Sequence, residues 1–169
     1  MGDRLKHALT LLALFGIVIV GALWGWNALT TPFPSSGEPA ADDSPCLEAT
    51  VAQGASVRPG AVWLSVLNAS DRNGLAGITL DSLVEQGFAE GDSGNAPDGT
   101  DVRNAEVWTA DVTNPAAVLV RSYLPRAEIV EHPELGSRVT LVVGQRFTTI
   151  RQGKKSVVAT ADATICGPR

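Results

Sequence analysis

Cys46 and Cys166 are the only cysteines in the chain, and they bracket nearly everything beyond an apolar amino-terminal stretch. An even pair so placed reads as a disulfide in an oxidising compartment. The alternatives are a metal site, which needs more ligands, and a nucleophilic thiol, which needs a base close by. The histidines supply neither: His7 lies near the amino terminus and His132 precedes Pro133. No His/Cys cluster can be assembled, and a Ser–His–Asp arrangement lacks a Gly-x-Ser-x-Gly elbow. Asp92, Asn95, Asp98 and Asp101 crowd one loop, but their spacing departs from the alternating acids and closing Glu of a calcium loop. Carboxylates for glycoside chemistry are spread through loops without a pattern. The expectation is no catalytic residue, no metal and no cofactor.

Binding chemistry is better represented. Arg151, Lys154 and Lys155, with Arg146 close by, form a cationic cluster. Its plain reading is a solvated rim; its functional reading is contact with anionic wall polymer or lipid. Asn68, Ser70, Arg72, Asn73 and Gly74 lie in a polar turn expected to run from a strand into a helix. Backbone N–H groups at such a turn attract anions, and Arg72 adds charge. These eight residues are the candidate ligand-binding set. The net charge of -5 excludes a typical nucleic-acid binder, which would show a basic stripe.

The elements that must carry these residues begin with a membrane signature. Residues 8–29 hold no ionisable side chain over 22 positions, long enough as a helix to cross a hydrocarbon core of about 30 Å. Arg4 and Lys6 precede this span and the next basic residue is Arg58. The positive-inside rule therefore puts residues 1–7 in the cytoplasm and the rest outside, at the plasma membrane. The run exceeds the roughly 7–15 apolar residues of a cleaved signal peptide and lacks an A-x-A site after it, so it is expected to stay as a single-pass anchor in the bilayer. Residues 30–45 (TTPFPSSGEPAADDSP) are too polar and proline-rich to fold and read as a linker.

Residues 46–169 are left for one extracytoplasmic domain of α/β (α+β) class, a small sandwich with a mixed sheet and two main helices. The patterning predicts an opening strand near Leu47 and a doubly buried strand over 61–67. A helix follows over 74–86, capped by Asn73 and closed by Gly87 with Phe88 folding back on Leu83. A short strand covers 88–93 and another 104–108. Asn114-Pro115 opens a second helix reaching Tyr123, and strands follow over 127–130 and 139–143. Residues 145–150 and 156–160 read as an added hairpin around Gln152-Gly153, making 145–169 a carboxy-terminal extension.

VWLSVLNASDRNGLAG, then LVEQGF, NPAAVLV and VTLVVG, resemble the LytR C-terminal domain family. There a strand ending in Val-x-Asn-(Gly/Ala) runs into Gly-Leu-Ala and a helix closing on Gly-Phe. The resemblance covers 61–144, and the extension takes nothing from it. With anchor, linker, lone module and flanking cysteines, the chain looks like the standalone actinobacterial envelope integrity proteins (Cei type). The resemblance implies a non-enzymatic role in envelope maintenance by binding cell-wall polymer or lipid-linked glycan. The alternatives are an adaptor for other envelope proteins and, further off, a wall-active hydrolase.

Overall fold

The computed structural model describes residues 46–169, preceded by Gly16. The expected membrane span and linker, 8–45, lie outside the described residues, apart from that glycine. Ser44–Arg169 forms one compact unit.

Its sheet is organised by β3 (Trp63–Ala69), in which Trp63 to Val66 are all buried. Such a strand needs a hydrogen-bonding neighbour at each edge and cover on each face. The edges go to β4 (Ala89–Asn95) and β7 (Val139–Gly144), both parallel to it. Strand β5 (Ala105–Thr109) runs antiparallel to β7 and parallel to β6 (Glu128–Glu131), giving a mixed sheet of order β4-β3-β7-β5-β6.

Two parallel crossovers supply helices α1 (Leu75–Glu85) and α2 (Pro115–Arg121). Both bury their apolar sides against Leu64, Val66, Val107, Leu141 and Val143, which alternate onto the same face of the sheet. The helices therefore lie on one face, and the domain is a two-layer mixed α+β sandwich. On the opposite face Trp63 and Ala89 pack against Cys46 and Cys166.

The helix ends follow local chemistry. At the end of α1, Gly87 adopts φ 96°; its N–H donates to Val84 O and that of Phe88 to Leu83 O. This is a Schellman motif, and it turns Phe88 inward. Asn114 caps α2 as expected, its Oδ1 accepting from Ala116 N at 2.9 Å. The expected Asn73 cap of α1 does not form. Gly74 occupies the cap position at φ 76° without a side-chain bond, because the turn there requires a left-handed residue that glycine adopts without strain.

Two strand expectations need correction. Strand β4 extends to Asn95 although its sequence, AEGDSGN, is polar. It is an edge strand, and Gly91 passes so close to β3 that a Cβ there would lie 2.5 Å from Leu64 O. The predicted hairpin over 145–160 is absent. Instead β8 (Val157–Val158) pairs antiparallel with β2 (Ser56–Val57), and β9 (Ala163–Gly167) with β1 (Leu47–Val51). The carboxy-terminal segment therefore returns along the start of the domain, where distant partners offer backbone bonds that its own neighbour does not. The Cys46–Cys166 disulfide closes this return across a separation of 120 residues, with Cα atoms 5.5 Å apart.

In the chain-entropy picture a loop that long makes the disulfide worth several kcal/mol. Urea unfolding of the full chain with and without reductant should show a loss of about 2–5 kcal/mol on reduction. A loss below about 1 kcal/mol would mean that the β1–β9 and β2–β8 ribbons hold themselves.

Candidate functional site

Loops 70–74, 102–104, 121–127 and 145–155 meet at one end of the sheet, where β3 and β7 finish and β5 and β6 begin. Asn104 Nδ2 donates to Pro125 O, Gly144 N to Asn104 O, and Arg146 N to Arg103 O. The predicted turn lies here, folded on itself. Asn68 Oδ1 accepts from Ser70 N and Ser70 Oγ at 3.0 and 2.7 Å, while Asn68 Nδ2 donates to Arg72 O. Arg72 Nη1 donates to Phe147 O at 2.6 Å. Asn68, Ser70 and Arg72 thus hold the turn and tie it to the 145–150 segment, while Asn73 and Gly74 stay exposed at the start of α1.

The other predicted group opens onto a real concavity. A cleft of about 480 Å³ is lined by Arg121, Arg126, Arg151 and Lys154, with Ser122, Gln152 and Gly153 beside them and Val118, Leu124 and Ala127 as apolar lining. No carboxylate is among these residues. The His132–Glu134 ion pair is formed elsewhere. Lys155 does not line the cleft. Sequence reasoning missed Arg121 and Arg126, since no linear spacing relates them to Arg151. The one local sign is a basic residue in the last turn of α2.

A staple built on Tyr123 shapes the cleft. Arg151 N donates to Tyr123 O at 2.8 Å and Lys154 N to Ser122 Oγ at 2.9 Å. Tyr123 Oη donates back to Lys154 O at 2.9 Å. The Tyr123 side chain packs edge-on against Phe88, centroids 5.1 Å apart, so the staple reaches the end of α1. Burial pushes its phenol pKa up, which keeps the donating hydroxyl protonated. Gly153 lies flat on the ring: a Cβ there would come within 2.4 Å of Tyr123 Cδ2. Arg126, at φ 64°, is the one non-glycine residue with positive φ among the described residues. That backbone costs about 1–2 kcal/mol and places its side chain at the cleft.

Acids occur at both ends: Asp71 and Asp101 line a recess with Arg103 and Arg146 near the 70–74 turn, and others gather at the far end. Glu48, Asp111 and Asp162 line a second cleft that contains no basic residue. No group of three or more His, Cys, Asp or Glu able to hold a metal occurs among the described residues. Trp108 stacks on His132 with centroids 4.1 Å apart. The hydrogen bond from His132 holds the Glu134 carboxyl below its usual range.

Two substitutions separate shape from charge. Gly153→Ala should destabilise the domain by about 1–3 kcal/mol, because the Tyr123 ring has no room to yield; chemical denaturation reads this directly. Arg126→Gly relieves the left-handed strain, so its melting temperature should equal or exceed that of the parent. A clear fall would show that the Arg126 side chain supports the fold.

Residues 61–147 match the family model described as LytR cell envelope-related transcriptional attenuator, LytR_C. Arg121 and Arg126 fall inside that stretch, Arg151, Lys154 and both cysteines outside it. No curated protein matches the chain. The fold is similar to that of the soluble domain of a conserved hypothetical secreted protein from Mycobacterium marinum, with TM-score 0.53 and 26% identity over 58% of this chain and 68% of that one. With half of its length matched, including the β3 turn, α1, α2 and β7, the chain belongs to the LytR_C family.

Proposed function

We propose that this chain is a non-enzymatic protein of the cell envelope whose folded domain lies outside the plasma membrane and binds anionic cell-wall or lipid-linked glycan through the cleft beside Tyr123. Residues 8–29 hold it to the bilayer. One observation carries the reading: four cations from two separate stretches of chain, 121–126 and 151–154, converge on one concavity that contains no acid to neutralise them. Side chains so arranged repel one another, and an anionic ligand relieves that repulsion. The LytR_C match and the likeness to a secreted domain support an extracytoplasmic setting.

The adaptor reading calls for a contiguous apolar patch. Among the described residues the exposed large apolar side chains are Leu47, Ile78, Val112 and Val158, one each from β1, α1, the β5–α2 loop and β8. The hydrolase reading calls for a pair of carboxylates in the cleft; none lines the one beside Tyr123.

Co-sedimentation of the full chain, in non-ionic detergent, with insoluble wall glycan tests the proposal. The parent should pellet with the polymer and release as salt rises, because the attraction is screened. The triple variant Arg121→Gln, Arg151→Gln, Lys154→Gln should lose at least tenfold in affinity. Equal pelleting of parent and variant would remove the cleft from the account.

A further inference from the structure

We infer that the group read by this cleft is a phosphoryl ester, tetrahedral and multiply charged, rather than a carboxylate; this rests on the reading of the cleft as the binding site. The first ground is charge. A single carboxylate brings one negative charge to a lining of three guanidiniums and one ammonium, whereas a phosphomonoester brings about 1.5 to 2 at neutral pH. The second is donor type. Three of the four cations are arginine, whose planar fork grips phosphate oxygens two at a time and stays charged at every accessible pH.

The third ground is direction. Arg121 comes from the last turn of α2, Arg126 from the turn after it, and Arg151 and Lys154 from the returning loop. Donors arriving from both sides of the cleft suit an acceptor whose oxygens point out of any one plane. The backbone adds to them. Arg151 N and Lys154 N are taken by the staple, but the N–H groups of Gln152 and Gly153 between them have no acceptor among the described residues.

Competing acceptors are also removed. Carbonyls at the end of a helix disfavour a nearby anion. Here Leu119 O, Val120 O and Arg121 O accept from Ser122, Tyr123 and Leu124 N, and Leu119 O also accepts from Ser122 Oγ. Val118, Leu124 and Ala127 leave an apolar wall beside the cations for the organic part of an ester.

Calorimetry on the full chain in non-ionic detergent compares inorganic pyrophosphate with citrate, two small anions of similar charge and different geometry. Pyrophosphate should bind at least tenfold tighter. Arg121→Lys with Arg151→Lys keeps the net charge but removes two forks, and should cost pyrophosphate several-fold while leaving citrate nearly unchanged. Arg126→Gly should cost pyrophosphate about tenfold without lowering the melting temperature. Glucose 1-phosphate and phosphatidate in mixed micelles then separate the sources: tighter binding of the first assigns a sugar phosphate, of the second a lipid headgroup. Equal binding of pyrophosphate and citrate, both lost in the triple glutamine variant, overturns the phosphoryl assignment and leaves the anionic-glycan reading standing. No binding of either, with wall glycan still retained through the cleft, overturns it too. No binding of either, and no effect of the triple variant on wall glycan, ends both.

Discussion

Everything in this domain is arranged around the need to cover β3 on both sides. Leu64 and Val66 project to the face where α1 and α2 pack, and Trp63 to the face where the disulfide sits. A strand buried this way cannot lie at an edge, so β4 and β7 must flank it whatever their own preferences. That explains why a run as polar as Ala89–Asn95 becomes a strand: its backbone satisfies β3, and its side chains face water as edge residues do. The two helices share one face because both crossovers, β3–α1–β4 and β5–α2–β6, turn with the usual hand.

The second organising contact is Tyr123. Its ring closes the space between the ends of the two helices through Phe88, while its hydroxyl and carbonyl hold the returning loop at Lys154 and Arg151. Without that grip, residues 151–154 would have no reason to lie along α2, and the cations they carry would be dispersed in solvent. The disulfide fixes the far end of the same return at Cys46. The returning segment is thus restrained both near the cleft and at the opposite end of the sheet, which is what turns four mobile basic side chains into a shaped surface. Only part of that surface belongs to the stretch matched by the family model, since Arg151, Lys154 and the cysteines lie beyond it.

Charge is sorted by the fold more than by the sequence. The net charge of -5 describes an acidic chain, yet the loops at one end bring Arg121, Arg126, Arg151 and Lys154 into one cleft while Glu48, Asp111 and Asp162 gather at the other. Averaged composition hides such clustering, and local field governs which ligand approaches which cleft. The left-handed Arg126 fits this picture, because backbone strain is retained where the surrounding structure over-determines a position.

The sequence alone determined what short-range physics controls. Residues 74–86, with their apolar spacing and Gly87-Phe88 after them, read as a helix with a Schellman close; Asn114-Pro115 read as the start of another; 61–67 read as an inner strand, observed as Trp63–Ala69. These signals act over two to four residues and need no partner. Tertiary structure alone decided which distant segments pair and which cations meet. Val157–Val158 joins Ser56–Val57 rather than its own neighbour, and Arg121 and Arg126 face Arg151 and Lys154 across about 30 intervening residues. Backbone groups accept any partner that closes the sheet, and no residue pattern along the chain records which partner will be nearest once the core has formed.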